Sequence, residues 1–275
     1  MQIQHIKVGP VTVPYQRRGN GPPLLLLHGG AGETDHHYYD EFAQLVSPRF
    51  ETIAYDQRDC GGSAFPEQHS YTLTDVAEEA VNLIRALGFE RVHVLGTSAG
   101  GLVAQLIALH WPERVDRLIL NVTMPVNERH SDVNPGLFER RAKLLKVADY
   151  RGFAELFSSP SYVAKHPEMV ERMKSLVTTS TQQRRVAALF GTPANVDLRK
   201  IRHKTMVVAG EEDQVVPLSA ARKLVSAIPN AELRIIPAAG HTALLENAGM
   251  YSSLVRGFLH FENDERPTRS GELSP

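Results

Sequence analysis

The stretch Gly96-Thr97-Ser98-Ala99-Gly100 sets a serine among small residues where an apolar run, Val92 to Leu95, ends and a helical pattern begins. A serine hydroxyl is a poor nucleophile until it is exposed, aligned and given a base. A sharp turn from strand to helix supplies exposure and alignment. It also strains the backbone and brings strand and helix so close that bulk two residues before or after the serine would clash. Gly96 and Gly100 stand at those two positions. The following helix aims its N-terminus at the serine, so the Ala99 amide can stabilise the oxyanion formed when an ester or amide carbonyl is attacked. Taken alone, the same five residues also describe an ordinary turn before a helix.

Three further stretches supply partners. "LLLLHGGAG" ends an apolar run in glycines, where a backbone amide can face the same site; Gly30 is the candidate second oxyanion donor. "MVVAGEEDQVVP" sets Asp213 just after a buried strand, with Glu211 and Glu212 as alternatives, and "RIIPAAGHTALLEN" sets His241 after the last strand. Asn121, at the end of the preceding strand, is no acid. Ser98, Asp213 and His241 all fall just beyond strand ends, where open α/β sheets bind their ligands. Their chain order of serine, acid, histidine is that of hydrolases built on such a turn. Of the other histidines, His93 reads as core and His110 as a helix end. His36 and His37, beside Tyr38 and Tyr39, read either as pocket wall or as an exposed helix start. Cys60 reads as lying beside the pocket rather than as a nucleophile.

These residues need a scaffold, and the chain alternates short Val, Ile and Leu runs with helical patterns. That rhythm predicts a mostly parallel eight-stranded sheet covered on both faces by helices. Strands are expected at residues 3–8, 11–17, 24–28, 52–55, 92–95, 118–121, 206–209 and 233–236, the first two joined as a hairpin at Gly9-Pro10. Residues 124–196 hold helical patterns and no convincing strand, so a helical cap is expected there, inserted between core segments 1–123 and 197–263. The polar tail 264–275 is expected to be disordered.

With 275 residues, one cysteine and a net charge of −1, the chain can bury a sizeable core and has no global field for nucleic acid or an anionic membrane. Cys60 cannot form an internal disulfide. The opening MQIQHIKVGP lacks a signal-peptide pattern, and no run reaches the ~20 apolar residues of a membrane span. A soluble cytoplasmic protein, monomer or homodimer, acting on a small molecule is expected. No metal-ligand spacing, P-loop or dinucleotide fingerprint occurs, so no cofactor and no metal are expected.

Together "LLLLHGG", "YDQRDCGGS", "GTSAGG", "VVAGEEDQVVP" and "AAGHTALLEN" resemble the α/β-hydrolase superfamily with a helical cap, over nearly all of residues 3–263. "HGGAG" and "YDQRDCGGS" are similar to the proline iminopeptidase subgroup, with departures at Ala31, Asp59 and Ala99. The resemblance implies a two-step mechanism in which Ser98 attacks, His241 takes its proton, Asp213 orients the imidazole and the Gly30 and Ala99 amides bind the oxyanion. The expected reaction is hydrolysis of a small carboxylic ester or lactone. The alternatives are hydrolysis of a carbon–carbon bond in a ring-cleavage product, an iminopeptidase-like amidase and, more remotely, a ligand receptor on the same fold. His37, Tyr38, Met124, Phe138, Phe157, Tyr162 and Phe190 are the candidate pocket residues. The cap carries eleven Lys and Arg against seven Asp and Glu, which suits either a carboxylate-bearing substrate or solvated helix faces. An aminopeptidase would instead need inward-facing acids, for which Glu128, Glu139, Glu155 and Glu171 are available.

Overall fold

The computed structural model describes residues 3–9, 11–30, 34–63, 70–178, 183–191 and 193–259. The expected tail, 264–275, lies outside them. Among the described residues eight strands occur: β1 (Gln4–Val8), β2 (Val11–Arg18), β3 (Pro23–Leu27), β4 (Glu51–Tyr55), β5 (Val92–Thr97), β6 (Val115–Asn121), β7 (Lys204–Gly210) and β8 (Ala231–Ile236). They form one sheet in the order β1-β2-β4-β3-β5-β6-β7-β8. β2 pairs antiparallel with β1 and β4, and every other pairing is parallel. The expected fold class and the opening hairpin are thus both present.

The helices are α1 (Asp40–Val46), α2 (Leu73–Ala86), α3 (Ala99–His110), α4 (His130–Val133), α5 (Leu137–Lys146), α6 (Tyr150–Phe157), α7 (Pro160–Lys165), α8 (Glu168–Thr178), α9 (Gln183–Phe190), α10 (Leu218–Ala227), α11 (Ala243–Glu246) and α12 (Ala248–Leu259). Strand side chains alternate between faces, and the Leu24 to Leu27 run shows why both faces must be apolar. Leu25 and Leu27 join the core under α2, α3 and α10, while Leu24 and Leu26 join the core under α1 and α12 with Phe42 and Tyr251. All four leucines are fully buried, each contributing about 2 kcal/mol of transfer free energy. α2 starts where it does because Thr72 and Asp75 cap each other's backbone amides.

Between β6 and β7 the described residues form α4 to α9 and no strand. Phe153, Val163, Met169 and Met173 give α6, α7 and α8 a small core of their own. Met124 and Leu137 pack on Val215 and Val216 and seat these helices on the sheet domain. Among the described residues, no helix is long and apolar enough to cross a membrane.

Candidate active site

Ser98 occupies the join between β5 and α3 with φ +54° and ψ −117°, a backbone state that costs a non-glycine residue ~1–3 kcal/mol. Neighbouring strands hold it there. Its N–H donates to the Asn121 carbonyl at 2.9 Å, and its carbonyl accepts from the Thr123 hydroxyl at 2.7 Å and the Gly101 amide at 2.9 Å. A Cβ on Gly96 would collide with the Gly100 carbonyl, and one on Gly100 with the carbonyl of Leu27. The flanking glycines therefore let strand, turn and helix touch.

The loop after β8 brings His241 to this turn, with Nε2 2.9 Å from Ser98 Oγ and Nδ1 2.8 Å from Asp213 Oδ2. An ionised carboxylate only accepts hydrogen bonds, so Nδ1 carries the proton and Nε2 is left to accept from the serine hydroxyl. The other Asp213 oxygen accepts from the amides of Val215 and Val216 at 2.8 and 2.9 Å. Asp213 and His241 are 8% and 7% exposed, and such shielding strengthens the hydrogen bonds between them. Glu211 and Glu212 are exposed, and Glu211 accepts from the Ala238 amide. Of the three candidate acids, Asp213 is the one that reaches the imidazole.

On the other side of the serine, the end of β3 turns through His28, Gly29 and Gly30. His28 is fully buried; its Nδ1 lies 2.8 Å from the Gly29 carbonyl, and its Nε2 accepts from the Gln57 amide at 3.3 Å. Burial and then the nearby Arg185 charge hold its pKa down to about 3, so the ring is neutral and Nδ1 is the donor. In a trans peptide, C=O and N–H point to opposite sides. The His28 bond to the Gly29 carbonyl therefore turns the Gly30 amide away from His28. Gly30 and Ala99 both line the cavity that contains Ser98.

That cavity has a volume of about 690 Å³. Of the residues named as pocket candidates, His37, Tyr38, Met124, Phe138 and Phe157 line it. Tyr162 does not: its ring stacks on His166 at 4.1 Å. The Phe190 side chain lies outside the described residues. His36 turns away from the wall, is buried, and pairs with Asp56 at 2.5 Å. Cys60, expected beside the pocket, is buried and absent from its lining.

His130, Arg141 and Arg172, which no sequence motif marks, also line the cavity. Arg141 holds its guanidinium over the rings of Phe153 and Phe157, 5.5 and 5.6 Å from their centroids, and Phe157 stands edge-on to His241 at 6.0 Å. Burial, then the charges of His241 and Arg141, lower the pKa of His130. Burial raises that of Tyr38 and keeps its hydroxyl neutral. Their helical spacing gave no signal that separates cavity wall from solvated face. None of Glu128, Glu139, Glu155 and Glu171 lines the cavity; Glu128 pairs with Lys223 and Glu155 with Arg151.

A family model described as alpha/beta hydrolase fold matches residues 22–248. The chain is 30% identical over 270 residues to a putative carbamate hydrolase RutD of Caulobacter sp. (strain K31), covering 92% of this chain and 98% of that one. It is 31% identical over 251 residues to a 2-hydroxymuconate semialdehyde hydrolase of Pseudomonas sp. (strain CF600), covering 88% of each. Among solved structures it resembles Est816, described as an N-acyl homoserine lactone degrading enzyme, with a TM-score of 0.80 and 25% identity over 93% of this chain and 100% of that one.

Proposed function

As the chain belongs to the alpha/beta hydrolase fold family, we propose that it is a serine hydrolase that cleaves a small carboxylic ester or lactone through an acyl-enzyme on Ser98. The observation that carries this reading is the unbroken hydrogen-bonded relay from Ser98 through His241 to Asp213, opening onto the cavity. Ser98 Oγ attacks the substrate carbonyl as His241 Nε2 takes its proton. Asp213 stabilises the resulting imidazolium and fixes its tautomer. The Gly30 and Ala99 amides receive the oxyanion, with the α3 N-terminus adding its dipole. Collapse of the tetrahedral adduct expels the alcohol, which takes the proton from His241. Water, deprotonated by the same nitrogen, then attacks the acyl-enzyme; as the acyl–Oγ bond breaks, Ser98 Oγ takes that proton back from His241 and the acid leaves.

The helices between β6 and β7 act in this reading as the cap that shapes the acyl or alcohol pocket. An ester or lactone fits better than a peptide N-terminus, because none of the four cap glutamates lines the cavity, and Asp35, the acid among its lining residues, already accepts from the His37 amide. A second reading, hydrolysis of a carbon–carbon bond, is favoured by Arg141 and Arg172 on the wall, which suit an anionic substrate, and by the 31% identical semialdehyde hydrolase.

The test is initial rate on p-nitrophenyl esters of increasing acyl length, beside Ser98→Ala. A rate that depends on chain length and vanishes in the variant supports the ester reading. No rate on any ester, with turnover of a ring-cleavage product, moves the conclusion to the second.

A further inference from the structure

Arg185, on α9 of the inserted helices, is 1% exposed, and burying a guanidinium is costly unless its donors are met. Its partners among the described residues are neutral oxygens: Nε to the Gly30 carbonyl at 3.4 Å, Nη1 to the Arg58 carbonyl at 3.1 Å and Nη2 to Gln57 Oε1 at 3.1 Å. An apolar side chain could fill such a space without that desolvation. What the rigid fork of donors adds is a fixed orientation of its acceptors. Gln57 hands this on, since its Nε2 donates to the His28 carbonyl at 2.8 Å and its backbone amide donates to His28 Nε2. His28 in turn holds the Gly29 carbonyl. Arg185 thus grips both ends of the 28–30 turn, His28 through Gln57 and Gly30 directly.

We propose that Arg185 is a positioning residue: it holds the turn that aims the Gly30 amide at the oxyanion, so that seating of α9 on the sheet domain and the reactivity of Ser98 are linked. This rests on the reading of Gly30 as an oxyanion donor. Arg184 provides the internal control. It pairs with Asp59 at 2.7 Å and anchors the same helix to the same loop, and among the described residues its hydrogen bond goes to Asp59 rather than to residues 28–30.

The experiment compares Arg185→Met, Arg185→Lys and Arg184→Met with wild type, using the best ester of the p-nitrophenyl series. It adds the affinity for a matching trifluoromethyl ketone, whose carbonyl carbon bonds to Ser98 Oγ to give a hemiketal oxyanion, and for the unreactive carbinol of the same shape. For Arg185→Met, kcat falls about 10²-fold, as for a slightly misplaced or lost oxyanion donor, while KM is little changed. Ketone affinity falls in step with kcat, and carbinol affinity does not. Arg185→Lys, which keeps the charge but cannot reach three acceptors, loses less, and it carries the test if thermal unfolding shows that the methionine variant does not fold. Arg184→Met stays near wild type.

The proposal is overturned if both Arg185 variants keep a wild-type kcat, if ketone and carbinol affinities fall together, or if Arg184→Met loses as much as Arg185→Met. A wild-type rate that vanishes in Ser98→Ala but is untouched at Arg185 removes this inference alone. A wild type without Ser98-dependent turnover removes the proposed function and this inference with it.

Discussion

Gly29 lies so close to Ser98 that a Cβ on the former would stand 2.9 Å from the Cβ of the latter, and 3.0 Å from the Thr97 carbonyl oxygen. Its φ is not positive, so alanine is allowed there by the backbone and excluded by contact. Gly29→Ala must push the end of β3 away from the serine turn. The expected cost is ~1–3 kcal/mol of stability from overpacking and ~10²-fold in kcat from displacement of Gly30, the proposed oxyanion donor. A urea titration and a rate measurement on the same preparation check both.

Asp213→Asn tests the acid more sharply than removal would. The two amides of Val215 and Val216 require an acceptor at the Oδ1 position, so the asparagine oxygen goes there and its NH₂ faces His241 Nδ1. The imidazole is then forced into the wrong tautomer, and kcat drops ~10⁴-fold. Glu212→Gln stays near wild type. If Glu212→Gln is the worse of the two variants, the wrong carboxylate has been assigned.

The buried His36–Asp56 pair predicts how stability varies with pH. Burial pulls the His36 pKa down, but the hydrogen bond and charge of Asp56 outweigh it and the pKa is raised. Burial likewise pushes Asp56 up, and its bonds from His36 and the Gly62 amide leave it lowered. The stabilisation is complete between the ordinary carboxylate value of about 4 and the ordinary imidazole value of about 6.5. It is lost as pH rises through the raised His36 pKa, or falls through the lowered Asp56 pKa. Denaturation midpoints measured from pH 5 to 9 should decline at the alkaline end, and His36→Gln should flatten that decline. An equal slope in the variant would contradict the assignment.

On the proposed ester reading, cavity size sets the acyl preference. Leu189 lines the cavity from α9 and is half-buried, so Leu189→Trp adds bulk where a chain would lie. The kcat/KM profile over the p-nitrophenyl series should move toward shorter acyl groups by about tenfold for the longest chains, in keeping with ~1–3 kcal/mol per misfitted methylene. An unchanged profile means that the acyl group lies elsewhere.

The strands were legible because apolar runs and their breaks are local. At the start of β6 a polar residue is buried by its stem. β6 starts at Val115 rather than Leu118 because Arg117 is only 6% exposed and lays its guanidinium over the Phe258 ring at 5.3 Å. Ser98, Asp213 and His241 could be read from their glycines and their places after strands. The grip of Arg185 on Gln57 and Gly30 could not, since it joins residues far apart in sequence by side chains whose types also suit a solvated helix face. Tyr162 and His36 show the same limit from the other side: the sequence names an aromatic or a histidine near the site, and only packing decides which way it turns.

The most direct measurement is mass spectrometry of enzyme quenched within the first turnover of an activated ester, followed by peptide mapping. A serine mechanism leaves an acyl mass on the peptide that contains Ser98, formed with a burst of p-nitrophenol, absent in Ser98→Ala and persistent when deacylation is slowed by a hindered acyl group. Turnover with no acylated peptide, or with the acyl group on another residue, would contradict it.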